Sequence, residues 1–135
     1  MRRAPGLAVT VVVVAAALVG CGSHSSSAVT STQEHAVLVH LANTDADAVF
    51  ALEDELEPAI ADAGVGEYDG NDIAVDGSEA ILYAYGPDAD ALWDVMSPIV
   101  QRANPPAGSY VVKRYGDVND PDAREVRIEL GTTNS

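Results

Sequence analysis

The fold class that this sequence predicts is α+β, with two helices packed on one face of an antiparallel sheet. Three observations predict it. Short β-branched runs alternate with two stretches of helical apolar spacing, in the order β-α-β-β-α-β with one further strand. The middle two strands meet at Asp76-Gly77, a favoured hairpin dipeptide. "DADAVF" (45–50) and "DADALW" (88–93) each open a helix after a strand, a weak internal echo of two halves.

The elements follow in order. Ala36-Val37-Leu38-Val39-His40-Leu41 reads as a strand, with Val37, Val39 and Leu41 on one side and Leu38 and His40 on the other. Thr44-Asp45-Ala46-Asp47 is a capping-box variant that opens a helix. Its stripe is Val49, Leu52, Leu56, Ile60 and Ala63, and Gly64 ends it. Pro58 inside that helix is expected to kink or split it, because proline removes a donor and clashes with the preceding turn. Two extended segments follow, Asp72 to Asp76 and Glu79 to Tyr85. Gly86-Pro87-Asp88 starts a second helix, with proline at its first position and a stripe of Leu92, Met96, Ile99 and Ala103. Pro98 falls late in it, and Asn104-Pro105-Pro106 stops it. Strands at Ser109 to Tyr115 and Arg124 to Leu130, separated by the polar loop 116–123, close the domain. This is the split-βαβ, ferredoxin-like arrangement plus a C-terminal strand, and it leaves the sheet face opposite the helices open.

The region before the domain has a different character. Met1-Arg2-Arg3 is a short positive segment, Leu7 to Val19 is an uncharged run, and Gly20 precedes the only cysteine, Cys21. That is a secretory signal layout, and the run is too short to span comfortably a hydrocarbon core, which needs about 20 apolar residues, so a retained transmembrane helix is the weaker reading. Arg2-Arg3 alone lacks the neighbours of a twin-arginine export signal. Leu18-Val19-Gly20-Cys21 resembles the lipobox of prokaryotic lipoproteins. That resemblance implies that residues 1–20 are removed and that Cys21, acylated with palmitate-like chains, becomes the first residue of the mature protein. Each buried methylene contributes about 0.8 kcal/mol, and two chains or more give stable attachment. A thiol consumed as a thioether leaves none for a disulfide, so the fold must stand on its core alone. Seven of the twelve residues from Gly22 to Gln33 are Ser or Thr, the composition of a flexible tether with a reach of about 20 Å. His24 there reads as a solvated linker residue. The expected organisation is signal peptide 1–20, lipidated cysteine and tether 21–33, domain 34–131 and a short tail 132–135. The expected location is the extracytoplasmic side of a cell membrane.

The formal charge of the full chain is −14. Without Arg2 and Arg3, five basic residues stand against 21 acidic ones, a charge of −16. No Lys or Arg occurs from Ala4 to Gln101, and Lys113, Arg114, Arg124 and Arg127 lie in the last quarter. So negative a field disfavours nucleic acid and anionic head groups and favours cations or a basic protein, or serves only solubility.

No G-x-S-x-G, Gly-rich phosphate loop or C-x-x-C is present, so no catalytic constellation and no cofactor is expected. Asp69-Gly70-Asn71-Asp72 and Asp117-Val118-Asn119-Asp120-Pro121-Asp122 gather oxygen ligands, but neither fits an EF-hand loop and turn chemistry explains both. Asp45, Asp47, Asp88 and Asp90 are assigned to helix first turns rather than to paired catalysis. His40 with Tyr83, Tyr85 or Tyr115 on the open face forms the candidate ligand patch, with a finished sheet surface or dimer contact as its bland counterpart. Lys113, Arg114, Arg124 and Arg127 either pair across strands with Glu125 or Glu129 or form a basic strip that meets the acidic half of another copy.

"GVGEYDGNDI", "YAYGPDADALW", "VVKRYGD" and "REVRIEL" resemble an uncharacterised family of small acidic bacterial domains over residues 49–130. The resemblance implies the same fold and carries no activity. The function expected is therefore that of an exported, membrane-anchored binding module. Its alternatives are an immunity-type lipoprotein that blocks a basic toxin, an enzyme, or a structural envelope protein.

Overall fold

A computed structural model describes residues 35–131. The elements are β1 (His35–Ala42), α1 (Ala46–Ala63), β2 (Glu67–Ile73), β3 (Glu79–Gly86), α2 (Ala89–Arg102), β4 (Tyr110–Tyr115) and β5 (Arg124–Glu129). The five strands form one sheet in the order β2-β3-β1-β4-β5, antiparallel at every pairing. Each half supplies a strand-helix-strand crossover whose strands are separated by one strand from the other half. This is the ferredoxin-like α+β fold, extended at one edge by β5.

Alternation on the strands decides what the helices cover. Val37, Val39 and Leu41 of β1, Ala80, Leu82 and Ala84 of β3, and Val111 of β4 are buried. They meet Val49, Leu52, Leu56 and Ile60 of α1 and Ala89, Leu92, Trp93, Met96 and Val100 of α2. The stripe of α2 is thus broader than its expected spacing, taking in Trp93 and Val100, while Ala63 and Ala103 are exposed ends.

Several local expectations are corrected. Pro58 and Pro98 lie inside continuous helices and split neither. Both are exposed, so each ring points to solvent while buried neighbours, Leu56 and Ile60 or Met96 and Val100, hold the helix to the sheet. Pro87 precedes the cap of α2 instead of beginning the helix, because Asp88 takes the capping role. Strand β2 runs from 67 to 73, not from 72 to 76. Polar residues and a bulge between Tyr68 and Gly70 hid its alternation, and Gly70 sits at φ 118. The Asp76-Gly77 turn is where it was expected, with Gly77 at φ 71 and its amide donating to the Ala74 carbonyl at 2.9 Å.

Two joints fix the ends of the sheet. Gly66 and Gly86 face each other so closely that a Cβ on Gly86 would lie 2.2 Å from the Val65 carbonyl oxygen. At the other end, fully buried Ser109 accepts the Ala42 amide on Oγ at 3.0 Å and the Leu130 amide on its carbonyl at 2.8 Å. Among the described residues no helix is long and apolar enough to cross a membrane.

Candidate functional site

The open face follows from the same alternation. Opposite the buried positions stand Ala36, Leu38 and His40 on β1, Ile81, Tyr83 and Tyr85 on β3, and Tyr110, Val112 and Arg114 on β4. All but Ala36, which is buried, are half-buried, as side chains are on a sheet surface that only their neighbours cover. The centre is apolar and aromatic. Its border differs from side to side, with Glu67, Asp72 and Glu79 at the β2–β3 end and Glu125, Arg127 and Glu129 along β5.

His40 stands near the middle. Its ring stacks on Tyr110 with centroids 4.3 Å apart and an interplanar angle of 10°, and its Nδ1 lies 2.8 Å from Glu79 Oε1. The Arg127 guanidinium covers the Tyr110 ring at 3.4 Å and donates through Nε to Glu129 at 2.5 Å. Glu79, His40, Tyr110 and Arg127 thus form a line across four strands, two stacked rings between a carboxylate and a guanidinium. Tyr83 donates to Asp72 Oδ2 at 2.9 Å. Burial, with the Asp72 carboxylate adding to it, raises the Tyr83 phenol above its ordinary value. Burial and Asp69 do the same for Tyr85. Both phenols therefore stay neutral donors over the physiological range.

Of the residues proposed from sequence, His40, Tyr83 and Tyr85 share this face. Tyr115 does not. It pairs with His35 in register, on the helix side of the sheet, because it is an odd number of residues from Tyr110 along the same strand. Its hydroxyl donates to Asp90 Oδ1 at 2.6 Å, beside Lys113 Nζ at 2.5 Å. His35 meets its ring edge-on at 5.5 Å, and Arg124 covers it at 4.1 Å. Asp90 is therefore more than a first-turn acid: it ties α2 to β4. Lys113 and then Tyr115 hold its carboxyl below the usual value, and Asp90 in turn raises Lys113. The basic strip expected on the last hairpin is divided by the same alternation. Arg114 and Arg127 lie on the open face, and Lys113 and Arg124 lie on the helix face.

Tyr110, missed from sequence, is the residue that completes the patch. Its signal is its place next to apolar Val111, which turns to the core, because adjacent residues on a strand face opposite ways. Arg114 was named for cross-strand pairing and does pair with Glu125, at 2.7 Å. It also donates to the carbonyls of Asp117 and Asp120, so it organises the loop between β4 and β5. Its Nε is buried with no partner.

Several of the acidic residues singled out from sequence have local roles. Asp45 caps α1 through the Ala48 amide at 2.8 Å, and Asp88 caps α2 through the Asp90 and Ala91 amides. His35 Nδ1 accepts the Ala89 amide at 3.1 Å, so the first donors of α2 are satisfied within the chain. Asp117 and Asp120 make turns with the amides of Asn119 and Asp122, and Asp69 to Asp72 lie in β2. Among the described residues no three His, Cys, Asp or Glu side chains are arranged to hold a metal ion. Behind the sheet edge, burial raises the Tyr68 phenol to about 12, with Asn71 opposing and Glu53 and Glu57 adding. The Asn71 amide is itself committed to Glu53 at 2.6 Å.

Cys21 and His24 lie outside the described residues. No family model, curated protein or solved structure matches this chain, so what the site does is read from its own residues.

Proposed function

We propose that this protein is an exported, lipid-anchored binding module that presents its open sheet face to a basic protein partner. The observation that carries this reading is the face itself: an aromatic and apolar centre of Leu38, His40, Ile81, Tyr83, Tyr85 and Tyr110 that no helix covers among the described residues. Aromatic side chains supply large contact area at small entropic cost, which is why they dominate recognition surfaces. Glu67, Asp72 and Glu79 rim one end of it, and the 21 acidic residues of the chain favour a partner of opposite sign. The positive N-terminus, the uncharged run and the Leu18-Val19-Gly20-Cys21 sequence support an acyl anchor at Cys21, with the Ser/Thr-rich segment as its tether.

Two measurements test the two halves of the reading. Intact mass of protein purified from its host should show cleavage before Cys21 and added acyl mass; residue 1 still attached, or an unmodified thiol, refutes the anchor. Capture from the native envelope should retain a basic protein on the wild type at low salt. Tyr83→Ala/Tyr85→Ala should lose it, and moderate salt should weaken it. Equal retention by wild type and variant refutes the face as the contact surface.

A further inference from the structure

We propose that two copies of this chain join through the free edge of β5, antiparallel and centred on Val126, so that the sheet continues across a two-fold axis. This edge shares Glu125 and Arg127 with the border of the open face, and it does not depend on the acyl anchor.

Three observations lead there. First, β5 is a regular strand with one edge unpaired among the described residues. The Leu130 amide donates to the Ser109 carbonyl at 2.8 Å. By alternation, the amides of Arg124, Val126 and Ile128 also point toward β4, and those of Glu125, Arg127 and Glu129 point away from the sheet. Arg124–Glu129 holds neither glycine nor proline, and its pairing to β4 runs without a shift. The opposite edge, β2, is interrupted by its bulge, a feature that discourages pairing there.

Second, a chain with a formal charge of −14 repels its own copies over most of its surface. Four of its cations, Lys113, Arg114, Arg124 and Arg127, sit on the β4–β5 hairpin. Two copies meet least repulsion at this edge.

Third, side-chain charge selects one register. Residues on the same face must stand opposite one another, so only alternate registers are open. Centred on Val126, Glu125 of each copy faces Arg127 of the other, twice, and the outward amides of these residues exchange hydrogen bonds. On the helix face Val126 meets Val126, and Arg124 meets Ile128. Centred on Arg127, two guanidiniums would meet and Glu125 would face Glu129. Centred on Glu125, two carboxylates would meet. Centring on Ile128 would also oppose Arg127 and Glu129. It would leave only three strand residues overlapping, because the chain departs from the strand at Gly131, with φ 54 against the Pro106 carbonyl. Arg127 uses its Nε on Glu129, and a guanidinium carries four further N–H donors for a second carboxylate.

Disulfide trapping tests the register on the full chain in detergent, with Cys21→Ser so that the added thiol is the only one. In the proposed register the two Val126 Cα atoms stand about 4.5 Å apart, within disulfide range. The two Arg127 Cα atoms exceed the limit of about 7 Å. Val126→Cys should therefore give roughly tenfold more disulfide dimer than Arg127→Cys, and Glu125→Cys mixed with Arg127→Cys should cross-link. In the chain without added thiols, Glu125→Arg should abolish the dimer seen by light scattering, and Glu125→Arg/Arg127→Glu should restore it. Folding of each variant is checked by Trp93 fluorescence. A Val126→Cys chain that stays monomeric, an Arg127→Cys chain that cross-links as well, or a charge swap that restores nothing overturns the proposal.

Discussion

Replacing Ser109 by alanine should unlatch the corner where β1, β4 and the end of β5 meet. The pairing of β1 with β4 ends at His40↔Tyr110, so the Ala42 amide extends beyond the last pair of that ladder. The Ser109 side chain takes it at 3.0 Å instead, and Ser109 is fully buried. Alanine fills nearly the same space but offers no acceptor, so the loss is that of one partly buried amide left unsatisfied, about 1–3 kcal/mol. In a domain of this size each kcal/mol lowers Tm by about 4–8 °C. Urea unfolding should therefore show a lower midpoint at an unchanged slope, since the surface exposed on unfolding is the same. Trp93, the only tryptophan and 8% exposed in the core, is the fluorescent probe. Ser97→Ala on the surface of α2 is the control, expected within about 0.5 kcal/mol of wild type. If Ser109→Ala also falls within that margin, the latch is not what holds β4 to β1.

Gly86→Ala should cost about 3 kcal/mol, because its Cβ would press on backbone at 2.2 Å. Gly64→Ala, in open space at φ 64, should cost only the left-handed strain, about 1 kcal/mol; a reversed order in urea unfolding refutes the close approach. The Asp90–Lys113 contact predicts a pH window. The folded carboxyl lies below 3.8, so its contribution is present above that value and is lost as pH falls through the folded one. The folded amine lies above 10.5, so its contribution is full below that value and is lost as pH rises through the folded one. The difference in urea midpoint between wild type and Asp90→Asn should hold constant between these limits and shrink on acidification; a difference that persists in acid assigns the effect to packing.

The elements of the fold were legible because their signals are local. Val37, Val39 and Leu41 alternate, Val49, Leu52, Leu56 and Ile60 repeat at helical spacing, and Asp45 and Asp88 mark the helix starts. Strand β2 was misplaced because its residues lie at an edge and need no clean apolar alternation, and a bulge broke what there was. Pro58 does not split α1, because a helix held to the sheet by buried Leu56 and Ile60 tolerates a missing hydrogen bond on its exposed side.

The patch of rings was only half legible. His40, Tyr83 and Tyr85 could be assigned to one face from alternation within single strands. That Tyr110 and not Tyr115 joins them follows from phase between strands, which depends on register, and register is set by non-local hydrogen bonds and not by the order of residues.

What the sequence by itself determined was element order, the caps, the imbalance of charge and the concentration of cations near the C-terminus, all properties of neighbours along the chain. Only the tertiary structure decided that Arg127 covers Tyr110, that Tyr115 turns toward Asp90, and that β5 stands at an edge of the sheet. Shifting one strand by a single residue exchanges its two faces, so contacts made across strands exist only once the whole sheet has chosen its register.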